Sequence, residues 1–149
     1  MNFSNKLIDW YNSNKRDLPW RRTKDPYKIW VSEIILQQTR IEQGEKYYHK
    51  FLKKYPNITS LSNTNNNELL KIWEGLGYYS RALNMLKTAV IVVDKYQGIF
   101  PSTYNELIDL PGIGDYTASA ISSICKNEIQ PVVDGNVLRF LSRLYKVDL

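Results

Sequence analysis

Apolar residues along this chain recur at helical spacing and almost nowhere at alternate positions. Leu83, Leu86, Val90 and Val93 mark one face of a stretch over 80–96 that Gly98 closes. Leu7, Ile8, Trp10 and Tyr11 form the apolar side of an earlier helix, with Ser4 as its candidate cap and an end near Asn14. Asp25-Pro26 sets the first turn of a helix over 27–38. A third spans 41–55 and stops before Pro56. Thr64 or Asn65 opens a short fourth through Trp73, ended by Gly75 and Gly77. Further helices are predicted over 103–110, 115–126 and 135–145. With no convincing period-two stretch, the fold class reads as all-α. The asparagine-rich NTNNNE is a surface turn and cap. Neither an internal repeat nor a linker interrupts the pattern.

Length and charge narrow this. The chain has 149 residues, enough for one domain with a real core. It is 43% hydrophobic and 23% charged, which is a globular balance. A net charge of +5 and a pI near 9.2 favour a polyanionic partner, although plain soluble surfaces also carry excess lysine. One cysteine, Cys125, makes neither an internal disulfide nor a Cys-only metal site, so the chain reads as cytosolic. The run AVIVV at 89–93 is far too short for a membrane span, and the N-terminus lacks a signal-peptide layout.

The chemistry concentrates in 110–137, LPGIGDYTASAISSICKNEIQPVVDGNV. Gly112 and Gly114 let the backbone turn sharply and offer bare N–H groups before a helix, a natural seat for a phosphate. An ordinary αα-corner could carry a bare GxG. Here Leu110 before, Ile113 between and a small-residue helix after match a helix-hairpin-helix, a DNA-backbone binder without sequence preference. Asp134 precedes a glycine and suits an N-cap. A carboxylate held there can also face a cation developing on a sugar. Glu33 lies in IWVSEIILQQT, apolar on both sides. If buried, it pays desolvation, keeps its proton and becomes a candidate general acid; otherwise it reaches solvent or pairs with an arginine. One protonated and one ionised carboxyl is the pattern for cleaving a glycosidic bond.

Three other groups invite the same double reading. Gln37, Gln38 and Thr39 at a helix end can probe a base or simply meet solvent. GLGYYSR at 75–81 can push Leu76 or Tyr78 into DNA, or merely break a helix. Arg16, Trp20, Arg21 and Arg22 combine charge with an indole face, as base stacking and phosphate contact require, or form a solvated loop with Trp20 in the core. His49 reads as a surface residue and Cys125 as core.

Taken together, RDLPWR, PYKIWVSEIILQQTRI, KIWEGLGYYSRA, LPGIGDYTA and VVDGNVLRFLSRL resemble the adenine DNA glycosylases of the MutY family, within the endonuclease III superfamily, over nearly the whole chain. The resemblance implies a base excision repair hydrolase, a monomer that removes adenine mispaired with 8-oxoguanine or guanine in double-stranded DNA, in the bacterial cytoplasm at the nucleoid. It implies Glu33 as the acid that protonates the departing adenine and Asp134 as the group that stabilises the sugar cation, with Tyr116 and Asn136 beside them. It implies Arg16, Trp20, Arg21 and Leu36 around the flipped adenine, and Gln38, Thr39, Leu76 and Tyr78 invading the duplex. The lyase branch of the superfamily has a Schiff-base lysine where this chain has Tyr116, so a monofunctional glycosylase is implied.

The family also carries a 4Fe-4S cluster on four cysteines and a C-terminal domain that recognises 8-oxoguanine, and neither lies in this chain. Residues 1–149 are therefore expected to be a partial catalytic domain, a helical barrel lobe with an incomplete second lobe and a hairpin at about 104–126. The expected consequence is an exposed apolar face on Leu7, Ile8 and Tyr11 and lowered stability. The central expectation is that Glu33 and Asp134, distant in sequence, meet at one site.

Overall fold

The computed structural model describes residues 2–147, and among these there are nine α-helices and no strand. They are α1 (Phe3–Asn14), α2 (Pro26–Leu36), α3 (Ile41–Lys54), α4 (Ile58–Ser62), α5 (Asn66–Trp73), α6 (Ser80–Tyr96), α7 (Tyr104–Leu107), α8 (Asp115–Lys126) and α9 (Gly135–Tyr145). A 3-10 turn, Pro19–Arg21, interrupts the basic loop. The all-α expectation holds, and four of the described helices begin at a side-chain cap. Asp25 accepts from Tyr27 N at 3.0 Å, and Asn65 accepts from Glu68 N at 3.0 Å.

Four details differ from the sequence expectation. α1 starts after Asn2, and no side chain caps it, so Ser4 is inside the helix rather than at its cap. α2 ends at Leu36, because Gln38 turns left-handed with φ 59°. α7 is a single turn. α4 was not expected, and it rests on a reciprocal capping box between Asn57 and Ser60.

The core forms around α2, which packs on α3, α8 and the 3-10 turn, while α6 packs on α4 and α5. Trp30 of α2 is sunk against Phe100, ring centroids 4.8 Å apart. Phe51 of α3 meets Trp73 of α5 edge to face at 6.2 Å. Leu61, Leu69, Met85, Leu107 and Ile121 complete one continuous cluster that adds α4, α6, α7 and α8. α1 and α9 stand apart from it, because neither buries a residue. They touch each other through Phe3 and Phe140, 6.0 Å between ring centroids. Leu7, Ile8 and Tyr11 are exposed, as expected of the first helix.

Candidate active site

α2 is apolar nearly all round, so its one carboxylate has little water to turn to. Tyr27, Ile29, Trp30, Val31, Ile34 and Ile35 are all buried. Glu33 makes no hydrogen bond or ion pair with any described residue, and burial pushes its carboxyl from 4.5 up to about 7. The alternative in which it pairs with an arginine is excluded. The hydroxyl of neighbouring Ser32 is taken up by the Ile29 carbonyl at 2.7 Å.

Glu33 opens into a cavity of about 380 Å³ whose walls include Tyr11, Trp20, Arg21, Lys24 and Ile29. Trp20 lies in the core, as one of its two sequence readings had it. It is buried, with its ring edge-on to Tyr48 at 5.4 Å, and it lines the cavity. The Arg21 guanidinium lies over the Tyr11 ring, 5.5 Å from its centroid, and donates to the Arg16 carbonyl at 3.1 Å. Aromatic walls, two cations and a protonatable acid suit a flat polar heterocycle, and the volume is that of a small-ligand site. Arg16 itself lines an adjoining cavity of about 360 Å³ that shares Tyr11 and Arg21 with the first. There Arg22 donates from Nε and Nη2 to the two oxygens of Asp17, which raises the arginine and lowers the aspartate.

Asp134 is the N-cap of α9. Its Oδ1 accepts from Val137 N at 2.8 Å, and its Oδ2 accepts from Asn136 Nδ2 at 3.3 Å. The Asn136 Oδ1 in turn accepts from Arg139 Nη2. Asp134 does not line the cavity. Tyr116 lies on the first turn of α8. The Tyr116 hydroxyl is raised by burial first and then by the charges of Glu33 and of Asp134. The charges of both carboxylates thus act on one phenol, but the cavity that Glu33 lines does not include Asp134.

The hairpin packs as its glycines require. Gly112 has φ 75°, and a Cβ on it would come within 2.8 Å of the Asn84 Cβ, so both backbone and packing exclude a larger residue. Thr88 donates to the Pro111 carbonyl at 2.9 Å and pins the turn to α6. Gly114 meets nothing within 4 Å, and the start of α8 has no side-chain cap. Its open N-terminus faces outward at the place where an anion is expected.

Two expected residues lie elsewhere. Leu36 packs over Gly44 of α3 and is absent from the cavity wall. Leu76 is a core residue, 9% exposed, and cannot enter DNA without leaving that core. Tyr78, 64% exposed with φ 45°, projects instead, alongside exposed Gln38 and half-buried Thr39. His49 is an exposed partner of Glu45 at 3.9 Å. Cys125 is partly buried, and burial pushes its thiol up to about 11, far from a reactive value. Tyr11, Lys24 and Ile29 line the cavity without having been singled out. Lys24 sits within the basic cluster already noted, while nothing local marks Tyr11.

A 4Fe-4S cluster does not fit the residues present. The chain supplies one thiol where four are needed, and no group of three metal-ligating side chains occurs among the described residues.

A family model described as HhH-GPD superfamily base excision DNA repair protein matches residues 31–148. Among curated relatives, an adenine DNA glycosylase of Buchnera aphidicola subsp. Acyrthosiphon pisum is 46% identical over 146 residues, covering 97% of this chain and 42% of its own. The adenine DNA glycosylase of Homo sapiens is 41% identical, covering 95% of this chain and 28% of its own. This chain thus spans less than half the length of those relatives. Among solved structures, a thermostable thymine-DNA glycosylase superposes with a TM-score of 0.87 at 32% identity, over 94% of this chain and 65% of that one. An endonuclease III–DNA covalent intermediate shares the fold, with a TM-score of 0.82 at 23% identity over 95% of this chain and 65% of that one.

Proposed function

This chain belongs to the HhH-GPD superfamily of base excision DNA repair proteins, and on that premise we propose that it hydrolyses the N-glycosidic bond of adenine mispaired with 8-oxoguanine or guanine. The observation that carries the reading is the split between two carboxyls around Tyr116. Glu33 holds a proton near neutrality inside a cavity sized for a base, and Asp134 is fixed by a backbone N–H at a helix start.

The target bond is unreachable inside a base stack, so adenine leaves the helix and enters the cavity. Trp20 and Tyr11 offer ring faces to the purine. Glu33 protonates the base at N7, which turns a poor leaving group into a neutral one. As the C1′–N9 bond stretches, positive charge grows on the sugar, and Asp134 stabilises it. Water adds to C1′ and loses its proton to Glu33, which restores the acid. Tyr116, with its hydroxyl held neutral, supports the two carboxyls from between them. It provides no amine for a Schiff base, so the chemistry stops at the abasic site. Gly112, Gly114 and the open end of α8 hold a DNA phosphate, and Tyr78, Gln38 and Thr39 enter the duplex. By this reading the protein acts as a monomer in the cytoplasm, at the nucleoid.

The thymine-DNA glycosylase likeness offers a second substrate. Relatives at 41–46% identity favour adenine over it. Single-turnover assays on duplexes with adenine opposite 8-oxoguanine, guanine or thymine, and with thymine opposite guanine, decide the matter. Release of adenine from the first two alone is expected. Release of thymine, or of no base, would overturn the assignment.

A further inference from the structure

One guanidinium outside the catalytic group has an unusual set of partners. Arg81, on the first turn of α6, faces five backbone carbonyls. Its Nη1 donates to Ile34 at 2.8 Å, Ile35 at 3.4 Å and Gln37 at 2.6 Å, and its Nη2 donates to Leu76 at 3.1 Å and Gly77 at 3.4 Å. The first three are orphan acceptors at the C-terminal end of α2. The other two lie in the turn between α5 and α6. A planar fork can reach both sets together, and the single ammonium of a lysine cannot.

What the fork joins is strained and exposed. On one side Gln38 sits at φ 59°, and on the other Gly77 is at φ 68° and Tyr78 at φ 45°. Left-handed backbone at a bulky residue such as Tyr78 is strained and persists only where its surroundings impose it. The Arg81 guanidinium also lies 5.7 Å from the Tyr78 ring centroid and 5.2 Å from that of buried Trp73. Trp73 Nε1 donates to the Gly77 carbonyl at 3.0 Å, so the turn is held from beneath as well. Gln37, Arg81 and Gly112 line one cavity of about 170 Å³, which puts this junction beside the hairpin turn.

We propose that Arg81 is a positioning residue that locks the Gln38 tip and the Tyr78 tip into one rigid jaw beside the hairpin, so that both enter duplex DNA together when a base is extruded. This rests on the adenine-glycosylase reading, but it concerns extrusion and not the bond-breaking step. Phosphate contact at the hairpin survives loss of the fork, while opening of the duplex does not.

The test uses duplexes carrying the fluorescent adenine analogue 2-aminopurine opposite guanine, bound by the whole chain as wild type, Arg81→Met and Arg81→Lys. Extrusion unstacks the analogue and raises its emission. Arg81→Met is expected to bind duplex within about threefold of wild type yet lose about fivefold or more of the rise, with Arg81→Lys in between. Adenine opposite an abasic gap, already loosely stacked, should bring Arg81→Met base release back within about threefold of wild type. An emission rise equal to wild type in Arg81→Met, or an equal loss on stacked and unstacked substrates, would overturn the proposal. If Arg81→Met fails to fold, Arg81→Lys with native helix content carries the same comparison. A wild-type chain that raises emission but releases no adenine would refute the catalytic reading and leave the jaw standing.

Discussion

α2 and α9 carry one acidic group each, and they differ in nearly every other respect. α2 buries seven of its eleven residues, and Glu33 has no hydrogen-bond partner among the described residues. α9 buries no residue, and Asp134 accepts from a backbone N–H and an asparagine amide. Burial raises the Glu33 carboxyl, while Asp134 is held by hydrogen-bond donors. The difference shows how a single fold can give two carboxyls opposite surroundings: one lines a cavity wall and the other caps a helix start.

Removing either half of the pair should have the largest effect. Glu33→Gln keeps shape and loses the proton, and Asp134→Asn keeps the cap and loses the charge. Each is expected to cut single-turnover adenine release by about 10³-fold or more, with duplex binding changed less than threefold or so. Near-normal release by either variant would break the division of labour.

Stability should separate the two next. The Glu33 carboxyl sits at about 7 in the folded chain against an ordinary 4.5, so the unfolded chain ionises first as pH rises. Its cost is absent below about pH 4.5, grows up to about 7 and is constant above. Glu33→Gln should therefore match wild type in urea melts near pH 4 and exceed it by up to about 3 kcal/mol near pH 8. A variant no more stable at alkaline pH would show that Glu33 is hydrated. Asp134→Ala should go the other way, losing about 0.5–2 kcal/mol through its missing cap. The smallest effect is expected from Tyr116→Phe. It keeps the ring and should slow release by about tenfold, which a comparison of single-turnover rates would measure.

Much of this was legible in the residues. Asp25-Pro26, Asn65 and Asp134-Gly135 name helix starts in chemistry that acts locally, and each is a cap or first turn in the structure. Glu33 stood out because apolar neighbours on both sides leave a carboxylate nowhere to go. α4 was hidden because five residues are too few for periodicity, and its capping box is polar throughout. The burial of Leu76 was not legible because its flanking glycines signal a loop, while its burial depends on distant helices. The cavity wall shows the same limit. Tyr11, Ile29 and Ile124 come from three helices far apart in sequence, and only packing assembles them.

The most direct measurement is the rate of single-turnover adenine release from an A:8-oxoguanine duplex as a function of pH. If Glu33 supplies the proton from its buried position, the rate holds up to about pH 7 and then falls about tenfold for each further unit. A rate that stays flat to pH 9 or so, or one that has already fallen through the ordinary carboxylate range near 4.5, would contradict it.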